Sequence, residues 1–173
     1  MELYLGIDGG GTRSTLVLAG MNGEIAAECK GSGLNIHSIG VRNAQNNVTD
    51  ALREILMKAQ ADKSDIKGLC MGAAGLGREN EKKTWGSIFY YLGFNCPIHL
   101  ISDSEAALFG GLGKYEGLAV ISGTGSICVG YGRNGAFARA GGWGHIIGDE
   151  GSGYYLGRLQ RWAIHFFFLP CEK

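Results

Sequence analysis

Three groups of residues in this 173-residue chain have the types and spacing to act on a polyphosphate and a polar substrate. The first is Asp8 followed by Gly9-Gly10-Gly11-Thr12. Glycines at a tight turn let backbone N–H groups approach an anion closely, and a neighbouring hydroxyl adds a donor. A carboxylate just before such a turn can hold Mg²⁺, usually through water, against phosphates cradled by those amides. The other use of Asp8 is to cap the turn, a common role for this residue type. The second group is Ser122-Gly123-Thr124-Gly125-Ser126, with the same Gly-Thr pair. The third is the glycine-rich run from Gly141 to Gly153, in which Trp143 stands between Gly142 and Gly144. An aromatic plate on so flexible a mount is suited to covering a sugar or other ring. Asp149 offers acceptors to substrate hydroxyls, and Glu150 does the same or caps the next helix. His145 reads as a structural donor, because no second His or Cys lies at metal-ligand spacing.

Asp103 stands apart from these groups. It follows the apolar strand Ile98 to Ile101 and precedes an Ala-rich helix. Open α/β sheets present ligand groups at that place, outside the carboxyl ends of their strands. As a base, Asp103 would take a proton from a substrate hydroxyl attacking phosphorus. As a helix N-cap, a role that Ser104 would serve equally, it would be silent in catalysis.

The two Gly-Thr turns belong to one repeat. Gly123-Thr124 lies 112 positions after Gly11-Thr12, and at the same offset Val17, Gly20, Asn22-Gly23 and Ala26 meet Val129, Gly132, Asn134-Gly135 and Ala138. Each copy reads as an apolar strand, a Gly/Thr turn, a second apolar strand and an Asn-Gly hairpin turn. Two such turns in one chain suggest a clamp on a polyphosphate.

The elements that must position these residues follow from periodicity. Residues 3–7, 14–19 and 24–29 form a meander of short strands, and 31–36 a loop. An apolar stripe at Val41, Ala44, Val48, Ala51, Leu52, Ile55, Leu56 and Ala59 predicts a helix over 41–60. Ile66 to Met71 is a buried strand, 79–92 a helix, 98–101 a strand and 104–112 a short helix, with a last helix starting near Glu150 to Tyr154. This order implies a mixed sheet with helices on its faces.

Composition narrows the function classes. Sixteen basic and sixteen acidic residues balance, so no surface for nucleic acid or anionic membrane is indicated. No apolar run approaches membrane-spanning length, and the N-terminus shows no signal peptide. Thirty-one glycines against two prolines imply many tight turns. The five cysteines, Cys29, Cys70, Cys96, Cys128 and Cys171, are scattered without a Cys-x-x-Cys pair, which reads as reduced thiols in the cytoplasm. Gly72 to Gly77 is followed by Arg78-Glu79 rather than Lys-Ser/Thr, and Gly151-x-Gly153 lacks a third glycine. Walker-type and Rossmann nucleotide binding are therefore excluded.

Taken together, Ile7 to Thr12, Asp103 after a strand, Ile121 to Ser126 and Gly142 to Ser152 resemble the N-acetylglucosamine kinase group of the BadF/BadG/BcrA/BcrD ATPases, within the actin/hexokinase/Hsp70-like superfamily. The resemblance covers about residues 3–158. It implies a ribonuclease H-like α/β fold: a mixed five-stranded sheet with an antiparallel meander, then the start of a second such lobe. Residues 1–115 would be the first lobe, 116–158 the start of the second, and 159–173 an atypical end. The implied activity is ATP-dependent phosphorylation of an amino sugar with Mg²⁺, by a protein that associates as a homodimer. Gly9, Gly10, Gly11 and Thr12 would form one ATP loop, and Ser122, Gly123, Thr124, Gly125 and Ser126 the other. Asp8 would hold Mg²⁺ and Asp103 would be the base. Asn35, Asp103, Gly142, Trp143, Gly144 and Asp149 would line the sugar site.

Two departures accompany the resemblance. Ile36 follows Asn35 where a relative offers a more polar contact, and the adenosine-binding glycine motif of the second lobe is missing. The run Phe166-Phe167-Phe168 near the end, with no surface after it to receive it, reads as a truncated terminus. A lone lobe lacks the wall that excludes water, so little turnover is expected from it. Two other functions fit parts of the pattern. One is an ATP-driven activator of a CoA-ester reductase or dehydratase, which would use cysteines for an iron–sulfur cluster. The other is a non-catalytic sugar- or nucleotide-binding module.

Overall fold

The computed structural model describes residues 2–73, 75–114 and 116–168, with 162–168 as backbone alone. Side chains from Trp162 onward, and with them the packing expected of the terminal phenylalanines, lie outside the described residues. The chain divides into two compact units after Ala106.

The first unit is built on a five-stranded sheet of order β3-β2-β1-β4-β5, from β1 (Leu3–Gly9), β2 (Arg13–Gly20), β3 (Ile25–Ser32), β4 (Ile66–Ala73) and β5 (Ile98–Ser102). Tight turns make β1, β2 and β3 antiparallel, whereas the long crossovers through α2 (Val41–Ala59) and α3 (Glu79–Tyr91) bring β4 and β5 in parallel to β1 and β4. Strand β1 alternates strictly, with Leu3, Leu5, Ile7 and Gly9 buried and the residues between them exposed. Over the buried face lie Ala44, Val48, Ala51, Leu52 and Ile55 of α2. Trp85 and Phe89 of α3 complete the core, their rings 5.6 Å apart, and Phe94 meets Phe89 edge-on.

Two stretches differ from the sequence expectation. Gly31 and Ser32 extend β3 instead of opening a loop, because they continue the ladder opposite Ser14 and Arg13 of β2. A short helix α1 (Ile36–Ile39) then starts at the last residue of the expected loop, capped by the Asn35 side chain, which accepts from the His37 N–H at 3.0 Å.

The second unit contains most of α4 (Asp103–Leu112), the antiparallel sheet β6 (Gly117–Ser122), β7 (Ser126–Tyr131) and β8 (Phe137–Gly141), and helix α5 (Gly153–Phe168). Its Asn-Gly turn repeats the backbone bonds and the Asn Oδ1 contact of the first copy. Gly20 N–H donates to Glu24 O at 2.9 Å and Gly132 N–H to Ala136 O at 2.9 Å. Asn22 Oδ1 accepts from Glu24 N–H at 3.2 Å and Asn134 Oδ1 from Ala136 N–H at 3.1 Å. Gly23 and Gly135, at φ 83° and 74°, supply the left-handed residue that follows the turn in a three-residue hairpin loop, one residue longer than the two-residue Asn-Gly turn read from the sequence.

The repeat is not in one register throughout. Gly9 pairs with Ser14, but Ser122 pairs with Ser126, so the second Gly/Thr turn is one residue shorter. The offset of 112 therefore holds only after the turn. Before it, Leu118 and Val120 take the ladder places of Leu5 and Ile7. Their burial is opposite: Leu5 and Ile7 are 2% and 4% exposed, Leu118 and Val120 73% and 76%. Strand β1 has β4 on its far side, whereas β6 pairs with β7 alone among the described residues. No described helix is long and apolar enough to cross a membrane.

Candidate functional site

In the first unit the candidate residues gather at the carboxyl ends of the parallel strands. Asp8 lies on β1 opposite Thr15 of β2 and Gly72 of β4, on the face away from the main core. Its carboxylate is exposed and makes no hydrogen bond or ion pair among the described residues, so it does not cap the turn. The turn closes through Gly10 N–H to Arg13 O at 2.9 Å, which leaves the N–H groups of Gly11 and Thr12 without a protein acceptor among the described residues. Two open amides beside an unbonded carboxylate fit an anion carrying a hydrated cation.

The turn is held rigidly from behind. A methyl at Gly9 would stand 2.8 Å from Ala73 Cβ, and one at Gly33 would run into the Gly11 carbonyl. Leu34 N–H donates to Gly10 O at 3.0 Å, and the carbonyl of Gly33 is itself gripped by Asn47 Nδ2 at 2.9 Å. This buttress of Gly33, Leu34 and Asn47 escaped sequence reasoning. Its only trace in the sequence is the spacing Gly31-Ser-Gly33, which marks a close backbone approach without saying to what.

Asp103 opens α4 at the end of β5. The cap expected of it, or of Ser104, is made by Ser102 instead. Glu105 N–H donates to Ser102 Oγ at 3.2 Å, while Ser102 N–H and Oγ–H donate to Glu105 Oε2 at 2.9 and 2.8 Å. This is a reciprocal capping box, written in the sequence as Ser-x-x-Glu. It leaves Asp103 on the first helical turn, exposed, with Oδ1 accepting from the adjacent Ser104 N–H at 2.8 Å. Asn35 stands half-buried at the start of α1. Its Oδ1 is spent on the cap and its Nδ2 donates to no protein acceptor among the described residues.

In the second unit the glycine-rich loop is stapled to the Gly/Thr turn. Ser122 Oγ donates to Gly151 O, Ser126 Oγ to Glu150 O, and Gly153 N–H to Gly123 O, each at 2.8 Å. Asp149 is buried, with its backbone at φ 65°, where a non-glycine residue is strained. Its Oδ1 accepts from Ser126 N–H at 3.2 Å, and Oδ2 lies against Gly125. Among the described residues, the N–H groups of Thr124 and Gly125 keep no protein acceptor. The hydroxyls of Ser122 and Ser126 thus shape the turn, and its open donors are backbone. Trp143 is 70% exposed, with the Arg139 guanidinium 5.3 Å over its ring. Gly142 and Gly144 flank it at φ 71° and 83°. Ser152 caps α5, accepting from Tyr155 N–H at 3.1 Å, so Glu150 is not the cap. His145 packs edge-on against Tyr154.

Cys29, Cys70, Cys96 and Cys128 are free thiols. Among the described residues no three His, Cys, Asp or Glu side chains converge as a metal site. Burial pushes the Cys29 thiol above its ordinary range, and the neighbouring Glu54 carboxylate adds to the shift.

Comparison with known proteins agrees with these features. Residues 5–160 match the BadF/BadG/BcrA/BcrD ATPase family. The chain is 38% identical over 157 residues to an N-acetylmuramic acid/N-acetylglucosamine kinase of Clostridium acetobutylicum, an alignment covering 91% of this chain and 51% of that protein. It is 34% identical to an N-acetyl-D-glucosamine kinase of Dictyostelium discoideum, covering 90% and 52%. The crystal structure of a candidate N-acetylglucosamine kinase from Chromobacterium violaceum superposes with a TM-score of 0.76 at 26% identity, over all of this chain and 61% of that one. The chain thus spans about half the length of the curated relatives it matches.

Proposed function

We propose that this chain, which belongs to the BadF/BadG/BcrA/BcrD ATPase family, carries the phosphate- and sugar-binding half of a kinase that moves the γ-phosphoryl group of ATP to a hydroxyl of an N-acetylglucosamine-type amino sugar. The observation that carries this reading is the arrangement at the ends of β1 and β5. Unbonded Asp8 stands beside the open amides of Gly11 and Thr12, and a capping box leaves Asp103 exposed. The amides of Gly11, Thr12, Thr124 and Gly125 bind phosphate oxygens. Asp8 holds Mg²⁺ through water, and the ion supplies neutralisation of phosphate charge. Asp103 accepts the proton of the attacking hydroxyl. Asn35 donates to the sugar, Asp149 accepts from it, and Trp143 on Gly142 and Gly144 covers one ring face. The scattered free thiols disfavour the cluster-bearing activator and suit the cytoplasm.

The sugar-binding part of this reading can be tested on the chain directly. Calorimetry with N-acetylglucosamine tests this: binding at millimolar sugar is expected, lost in Trp143→Ala, with little ADP released from ATP. A folded chain indifferent to millimolar sugar would refute the reading.

A further inference from the structure

We propose that Glu81, acting through His37, is a positioning residue that sets the amide of Asn35 for its ligand. The inference rests on placing Asn35 in the sugar site and names a part of the protein that fixes it there.

Asn35 has one oxygen and one NH₂ group to offer. The oxygen is committed to the His37 N–H as the cap of α1, so orienting α1 orients the remaining Nδ2 donors. Ile36 and Ile39 rest partly buried against the main core, but α1 is only four residues long and has no fully buried residue. The polar hold on the end that carries Asn35 comes from 44 residues further along the chain. His37 Nε2 lies 3.0 Å from Glu81 Oε1 on the first turns of α3. The segment leading into α3 closes over the same place, since a methyl at Gly75 would stand 3.2 Å from both Asn35 Oδ1 and His37 Cδ2. Cap, ring and carboxylate therefore form one contiguous chain from α3 to Asn35.

The energetics of Glu81 set this contact apart from an ordinary surface pair. The His37 side chain is 56% exposed, but that of Glu81 is 6% exposed, and its Oε2 is buried with no hydrogen-bond partner. Neighbouring positions on the same helix face, Trp85, Ile88 and Phe89, are apolar and buried. An apolar side chain at 81 would continue that face without stranding an oxygen. A carboxylate there is a poor choice for stability and a good one for gripping an imidazole.

The test uses the whole chain, with Glu81→Leu, Glu81→Gln, His37→Gln, Asn35→Ala and the double variant Asn35→Ala/Glu81→Leu. N-acetylglucosamine and Mg-ATP affinities are measured by calorimetry, and the Asn35 side-chain amide is followed by ¹⁵N NMR without ligand. Glu81→Leu should weaken sugar about tenfold, the middle of the range for contacting residues, with nucleotide affinity within about twofold. Glu81→Gln, which keeps a hydrogen-bond acceptor for His37, should recover most of the loss. The double variant should bind no worse than Asn35→Ala alone, and the Asn35 amide peaks should shift or broaden in Glu81→Leu. Lower thermal stability with unchanged sugar affinity, additive losses, or unmoved Asn35 peaks would overturn the proposal. If Glu81→Leu does not fold, Glu81→Gln and His37→Gln carry the same comparison. Should the parent bind no sugar while the Asn35 peaks still respond, the sugar assignment fails and the positioning role stands.

Discussion

Replacing Gly33 by alanine tests whether the first Gly/Thr turn owes its shape to the segment behind it. A methyl at Gly33 would collide with the Gly11 carbonyl and stand 3.0 Å from Thr12 N. Both partners are backbone, so no rotamer change relieves the clash. Neither can withdraw freely, because Leu34 N–H is bonded to Gly10 O and Asn47 to the Gly33 carbonyl. Overpacking of this kind costs about 1–3 kcal/mol. Breaking one of those hydrogen bonds adds about 1 kcal/mol, and the stiffer unfolded chain returns about 0.4–1 kcal/mol. The net loss should be about 1–3.5 kcal/mol, with the turn displaced and Mg-ATP affinity reduced. The control is Gly11→Ala on the other side of the same contact, where a methyl meets nothing within 4 Å. It should keep or slightly raise stability, yet weaken Mg-ATP, because the methyl sits beside the open amides of Gly11 and Thr12. Urea unfolding and titration with a fluorescent ATP analogue separate the two effects. If Gly33→Ala is as stable as the parent, the buttress is not structural; if Gly11→Ala binds nucleotide unchanged, those amides do not meet phosphate.

Leu5→Ala should cost about 2–5 kcal/mol, whereas Leu118→Ala, at the same ladder place of the second copy, should stay within about 0.5 kcal/mol; paired denaturant melts of the two variants check this. Cys29 should react with iodoacetamide at pH 8 more slowly than an unfolded thiol, because burial and Glu54 hold its thiol above the ordinary range. Its linkage has the matching sign: the stability tied to the neutral thiol is present below the unfolded value and lost as pH rises towards the folded one, measurable as a pH-dependent melt absent in Cys29→Ala.

What the sequence revealed depended on how local the cause was. The Asn22-Gly23 and Asn134-Gly135 turns were legible because the side chain and the glycine close the turn within four residues. The alternation of β1 and the stripe of α2 were legible because burial of one face imposes a period. Ser102-x-x-Glu105 was equally local, yet Asp103 and Ser104 are cap-type residues at the same boundary and sequence alone did not choose among them. The one-residue slip before Ser122 was hidden, since Gly123-Thr124 aligns with Gly11-Thr12 whichever way the incoming strand is paired. The Gly33 buttress and the His37–Glu81 contact were illegible for another reason. Each joins residues far apart in sequence, and a glycine or histidine seen alone carries no address for its partner.

The two Gly/Thr turns share a sequence but are secured by different means, and this bears on how the proposed site works. In the first copy the support comes from β3 and the segment beyond it, through Gly33 and Leu34, and the Asp8 carboxylate is left unbonded. In the second copy no carboxylate stands in that place, since Ile121 takes the ladder position of Asp8. There the hydroxyls of Ser122 and Ser126 grip the carbonyls of Gly151 and Glu150, and Asp149 reaches back to Ser126 N–H. The strained backbone at Asp149 is held by these bonds and by Ser152 N–H donating to the Asp149 carbonyl. A phosphate seated on the Thr124 and Gly125 amides and a sugar seated by Trp143 would press on a single hydrogen-bonded network. A ligand at either place then bears on the network that the other contacts, so calorimetry should find each tightening the other by the same factor, and independent affinities would refute the coupling.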